Sequence, residues 1–115
     1  MSVPVDLDKL AGTLTEFGSG YLITVGEDFR AHIIAVEPVL TEGVLDTGPA
    51  GTTTGRNVAA HPDVTVLWPP REPGGFTLIV DGRAELAGDH VRMRPAHAVL
   101  HRKAAARNDC RPLEK

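Results

Sequence analysis

Residues 47–68 read TGPAGTTTGRNVAAHPDVTVLW, and the fold turns on how that stretch is divided. Its last residues, Val64-Thr65-Val66-Leu67-Trp68, are β-branched or bulky and are halted by Pro69 and Pro70, so they read as a strand. The first eleven, Thr47 to Asn57, contain no large apolar side chain. They read as a polar loop leading into a short helical turn, Val58-Ala59-Ala60, closed by His61-Pro62.

Working outward, the same period-two logic finds five more strands. Tyr21–Val25 and about Arg30–Val36 flank the polar turn Gly26-Glu27-Asp28 and form a hairpin. A third strand spans about Gly43–Thr47. After the loop Arg71–Gly75, a strand starting at Phe76 runs to Val80 and on through Arg83–Leu86, with Asp81-Gly82 a bulge or bend within it. The last strand is His90 to about His101, where Pro95 marks an edge or a break. Ahead of all these, Leu7, Leu10, Ala11, Leu14 and Phe17 recur at helical spacing, predicting a helix over Asp6–Phe17 with Asp6 as its N-cap. One helix, about six sequential antiparallel strands and one short helix point to a barrel or curled sheet.

At 115 residues there is room for one domain, placed at 1–102, with 103–115 as a C-terminal tail. Aromatics make up only 4%, so the core is expected to rest on Val, Ile, Leu and Ala. A core this small gains from pairing with a second copy. The net charge of −3 argues against nucleic acid as the main partner. No apolar run approaches the ~20 residues a membrane helix needs. Met1–Asp8 lacks a basic stretch followed by an apolar one, so it does not read as a signal peptide, and a cytoplasmic location is expected. Cys110 stands alone, which rules out a disulfide within the chain. The histidines at 32, 61, 90, 97 and 101 are scattered, and no metal site is expected. Asp46 and Glu37 are the carboxylates nearest to an acid/base pair, and nothing in the spacing brings them together.

The chemistry-bearing segment is the Thr/Gly loop. A phosphate needs converging hydroxyls, backbone N–H groups at a helix start, and a cation. Thr52, Thr53 and Thr54 supply hydroxyls, Gly51 and Gly55 permit close backbone approach, and Arg56 supplies a charged fork. The same composition equally fits a polar loop with capping threonines and Arg56 in solvent. The loop has neither a Walker ending nor GxGxxG, so nucleotide hydrolysis is not expected.

The strand ending at Thr47, the loop 52–57, the turn Val58–Pro62 and the strand Val64–Trp68 together resemble the pyridoxamine 5′-phosphate oxidase-like family. Arg30-Ala31-His32-Ile33 in the hairpin and Ile79-Val80-Asp81-Gly82-Arg83-Ala84 extend the resemblance over roughly residues 7 to 101. It implies a mainly β fold with short helices: a six-stranded antiparallel split β-barrel of the FMN-binding type, working as a homodimer. It implies FMN, or alternatively the deazaflavin F420, at the dimer interface, and an oxidoreductase acting on a small molecule. Thr47, Thr54, Arg56 and Asn57 would then lie at the cofactor phosphate, with Arg30 close by. Ile33, Ile34 and Val36 would lie along the ring or ribityl chain, and Trp68 would stack near the flavin. The catalytic residues stay unassigned. The chain lacks the C-terminal Trp- and Arg-bearing segment of the true pyridoxamine phosphate oxidases, so that reaction itself is not expected. The competing readings are a non-catalytic split-barrel module binding flavin or haem, and a dimeric interaction protein without a cofactor.

Overall fold

Alternation of side chains sets the sheet, and a computed structural model, which describes residues 1–104, shows eight strands where six are expected. In chain order they are β1 (Ser2–Pro4), β2 (Gly20–Val25), β3 (Ala31–Val36), β4 (Val39–Thr41), β5 (Val44–Pro49), β6 (Asp63–Trp68), β7 (Thr77–Ala87) and β8 (His90–His101). The two additions, β1 and β4, are three-residue strands. The sheet runs β3-β2-β6-β7-β8-β5-β4, every pairing antiparallel, with β1 also on β8. Twelve-residue β8 therefore carries two partners along one edge, β5 at its start and β1 at its end. This is a mainly antiparallel, curled sheet with two short helices, the split-barrel architecture.

The N-terminal helix is shorter than its apolar period suggests. A 3-10 turn, Leu7–Lys9, precedes α1, which covers only Leu10–Leu14. Asp6 occupies the N-cap position, but its side chain makes no capping hydrogen bond. Gly12 weakens the helix interior, and the hydroxyls of Thr13 and Thr15 donate to the carbonyls of Lys9 and Gly12, competing with the backbone ladder. Leu10 alone is fully buried from this segment.

The second helix is longer than expected. α2 spans Thr52–Ala60, so the threonines read as loop are its first turn. Its buried side is Thr54, Asn57 and Val58, spaced i, i+3, i+4, and it packs against β2 and β7. Leu86 lies beside Gly55, where an added Cβ would make ordinary contact with its Cδ1 at 3.5 Å.

One core cluster links Leu10, Leu22, Leu45, Val58, Val66, Leu78, Val80, Val91 and Met93 around Trp68. The cluster rests mainly on Val, Leu and Ala, and Trp68, 1% exposed, is its largest fully buried side chain. The opposite face of the sheet also carries an apolar row. Tyr21 pairs with Ala35 and Leu67, Leu67 with Ile79, and Ile79 with Val99. Ile33 and Tyr21 on that face are 57% and 43% exposed.

An irregularity is present at Asp81-Gly82 as expected, but its extra residue lies on β8 rather than on β7. Asp81 pairs with His97 and Gly82 with Pro95, which leaves Ala96 outside the ladder. Pro95 thus sits at the irregularity, where its missing N–H is tolerated. The tail expected over 103–115 lies almost wholly outside the described residues, as does Cys110. No helix among the described residues is long and apolar enough to cross a membrane.

Candidate functional site

The turn between β2 and β3 is built by local hydrogen bonds. The Phe29 N–H donates to the Gly26 carbonyl at 2.8 Å, and the Gly26 N–H donates to the Arg30 carbonyl at 3.0 Å. The Arg30 N–H donates to Asp28 Oδ1 at 3.1 Å. Phe29 is held at φ 63°, a left-handed conformation that a bulky residue rarely adopts. Its ring packs on His61, with centroids 5.3 Å apart. His61 is the C-cap of α2, its N–H donating to the Asn57 carbonyl at 2.7 Å. The turn is thereby pinned against the helix.

Between them lies a cleft of about 510 Å³ whose walls include Arg30 and His32 from the hairpin and Thr53, Arg56 and Asn57 from α2. Thr53 and Arg56 are three apart on the helix and share its exposed side, which is why they meet the cleft together. Arg30 and His32, two apart, share one face of β3 and its approach. Two arginines from segments far apart in sequence thus line one cavity together with Thr53. Glu27 and Asp28 on the turn also line it, and Asp28 is engaged with the backbone of that turn.

The remaining predicted residues scatter by burial. Thr52 is exposed in the first turn of α2, whose N-cap, Gly51, offers no side-chain cap. The first-turn N–H groups are therefore left without an internal side-chain acceptor. Thr54, 2% exposed, lies on the buried side of α2 and is not among the residues lining the cleft. Asn57 lines the cleft from a 5% exposed position, and its Nδ2 donates to Thr24 Oγ1 at 3.1 Å. Thr47 is buried, with its hydroxyl donating to the Val91 carbonyl at 3.3 Å. Ile33 points to the outer face while Ile34 and Val36 point inward, because successive residues alternate. The three cannot line one wall, and Val36 belongs to the core. Trp68 is enclosed within this chain and presents no face to a ring.

His32 is one of several lining residues, with Glu27 and Asp28 of the turn, that sequence reasoning missed as site residues. Its even spacing from Arg30 was the available signal.

A second polar cluster lies on β5 and β8. Asp46 Oδ1 accepts from the Gly48 N–H at 2.8 Å and lies 2.9 Å from His90 Nδ1. The Gly48 N–H, first, and the His90 contact hold the Asp46 carboxyl below the usual aspartate range. Asp46 is thus partnered by His90 rather than Glu37. On the outer face, Thr65 Oγ1 donates to Asp81 Oδ1 at 2.6 Å, and His97 lies 3.6 Å from the same carboxylate. No group of three metal-ligating side chains occurs among the described residues.

Comparison with known proteins fits this architecture. No protein-family profile matches the chain. It is 44% identical over 117 residues to uncharacterized proteins of Mycobacterium bovis and Mycobacterium tuberculosis, covering 88% of this chain and 82% of each relative. Among solved structures it superposes on an F420 reductase with a TM-score of 0.60 and 22% identity, covering 75% of this chain and 93% of that one. A putative pyridoxamine 5′-phosphate oxidase from Listeria innocua gives 0.65 and 19%, with 82% and 96% covered. A FAD-binding protein from Mesorhizobium loti gives 0.68 and 14%, with 87% and 96% covered. The chain therefore belongs to one family with the two mycobacterial proteins, and its fold is the split barrel of the pyridoxamine 5′-phosphate oxidase-like proteins.

Proposed function

We propose that this chain is a cytoplasmic, homodimeric flavoprotein, its single domain spanning 1–102, that holds FMN by its phosphate and oxidises or reduces a small molecule. The observation that carries the reading is the convergence of Arg30 and Arg56 on one cleft with Thr53. A phosphate dianion there would accept from two planar forks and a hydroxyl, all of them charge-assisted by the ligand. Sequence reasoning found one cation in the Thr/Gly segment; the hairpin turn contributes the second.

Bound flavin would supply the hydride or electron chemistry, and this chain would supply grip and orientation. Arg30 and Arg56 fix the phosphate end, and Asn57, clamped to Thr24, fixes the helix that carries Arg56. The homodimer is supported by the apolar row Ala35–Tyr21–Leu67–Ile79–Val99 on the face away from the core. A partly exposed apolar row on the face away from the core favours burial against a second copy. F420 is the second candidate cofactor, favoured by the superposition on an F420 reductase.

The test is a fluorescence titration of the purified protein with FMN and with F420, for wild type and Arg56→Ala. Saturable binding of either that weakens in the variant supports the reading. Absence of binding of both at about tens of micromolar overturns it, since cofactor sites normally bind at least that tightly.

A further inference from the structure

Away from that cleft, β7 and β8 put an unusual pairing on their exposed face. Arg83 lies directly opposite Arg94, and Glu85 directly opposite Arg92. Like charges facing each other across a ladder are destabilising, whereas opposite charges are favoured there. Arg94 finds no relief on its other side. On β5, Asp46 is opposite Arg92, and the next position toward Arg94 is taken by apolar Val44. Arg83 meets Asp63 only at 3.9 Å, with both side chains largely in solvent. Glu85 faces Arg92, and Asp46 is already engaged with the Gly48 N–H and His90.

These side chains enclose a cleft of about 230 Å³ lined by Val44, Arg83, Ala84, Glu85, Arg92 and Arg94. Three arginines and one glutamate are among its lining residues. We propose that this cleft is a second anion-binding site, which takes the phosphoryl group of a small phosphorylated ligand between Arg83, Arg92 and Arg94.

The number of donors favours a phosphoryl group over a carboxylate. Each guanidinium offers up to five N–H donors in a fixed fork. Two carboxylate oxygens cannot occupy three such forks, whereas the oxygens of a phosphoryl group present acceptors in three directions. The cavity is below the roughly 300–1,000 Å³ of pockets that enclose a whole drug-sized ligand. It suits inorganic phosphate, pyrophosphate or the charged end of a longer molecule. It shares no lining residue with the Arg30–Arg56 cleft. The two sites can therefore be tested separately.

The probe is inorganic pyrophosphate, titrated calorimetrically against the purified protein at an ionic strength held constant with sodium chloride. Wild type, Arg83→Gln, Arg94→Gln and Arg56→Gln are compared. All three arginines are exposed, so the variants keep the fold. The expected result is saturable binding to wild type, about tenfold weaker in Arg94→Gln and in Arg83→Gln, as loss of a charge-assisted hydrogen bond implies. Arg56→Gln should retain a site that still depends on Arg94, seen in the double variant. Absence of saturable binding overturns the proposal, as does equal binding by wild type and Arg94→Gln. Binding abolished by Arg56→Gln alone would assign the anion to the cofactor cleft and also overturn it. Failure of the Arg83 and Arg94 variants to weaken binding leaves the FMN reading intact, and loss of binding in Arg56→Gln alone would support it.

Discussion

Replacing Gly82 with alanine adds one methyl group where the register between β7 and β8 shifts. Gly82 faces Pro95 beside the unpaired Ala96, and a Cβ there would overlap the Arg94 carbonyl oxygen and the Met93 sulfur. Neither neighbour can retreat. The carbonyl belongs to the backbone of β8, and Met93 is fully enclosed in the core. Overpacking a core typically costs about 1–3 kcal/mol, and collision with backbone places this case near the upper end. A domain of this size has about 5–15 kcal/mol of total stability. A loss of about 3 kcal/mol corresponds to a fall in Tm of roughly 12–24 °C, at about 4–8 °C per kcal/mol. Thermal and urea melts followed by far-UV circular dichroism measure it. The control is Gly12→Ala in α1, where an added Cβ meets nothing within 4 Å. That change should stabilise by about 0.5–1 kcal/mol, because alanine is the better helix former. If Gly82→Ala melts within about 3 °C of wild type, the close approach at the bulge is wrong.

Two further outcomes follow from the charge and surface patterns. Asp46 is held below its ordinary pKa by the Gly48 N–H and by His90, so its contribution is complete above the unfolded value, near pH 4. That contribution is lost as pH falls through the lower, folded value. Acid titration of stability should show a decline below about pH 4 that is shallower in Asp46→Asn; identical declines would refute it. Ile33→Glu places a charge on the exposed outer face without touching the core. Light scattering should report two chains for wild type and one for the variant; a wild-type monomer, or an unaffected dimer, contradicts the proposed interface.

The long strands were legible because each alternates over at least five residues and is bounded by Gly, Pro or acidic turns. Tyr21–Val25 and Val64–Trp68 are the clearest cases. β1 and β4 were not, since three residues carry too little alternation, and Pro4 and Pro38 discourage a strand assignment. α2 was misjudged for a different reason. Its buried side is Thr54 and Asn57 as much as Val58, so helical periodicity exists without apolar contrast. Asn57 is accommodated in the interior by its bond to Thr24 on β2, a partner thirty-three positions away that no local pattern reveals. The depth of Trp68 was equally hidden, because a strand-end tryptophan before two prolines reads as easily as a surface platform as a core filler. Arg30 and Arg56 were each recognisable as phosphate-binding candidates. That the Phe29 turn meets His61 at the end of α2, and that both arginines line one cleft there, are tertiary facts.

The central claim is that the cleft between the hairpin and α2 grips a flavin through its phosphate. The most direct measurement compares FMN with riboflavin, which has the same ring and no phosphate, in fluorescence titrations of wild type and of the Arg30→Gln/Arg56→Gln double variant. The account predicts that wild type binds FMN at least about a hundredfold more tightly than riboflavin, as two charge-assisted arginine contacts imply. It predicts that the double variant binds both ligands equally weakly. Equal affinity of wild type for FMN and riboflavin, or undiminished FMN binding by the double variant, would contradict it.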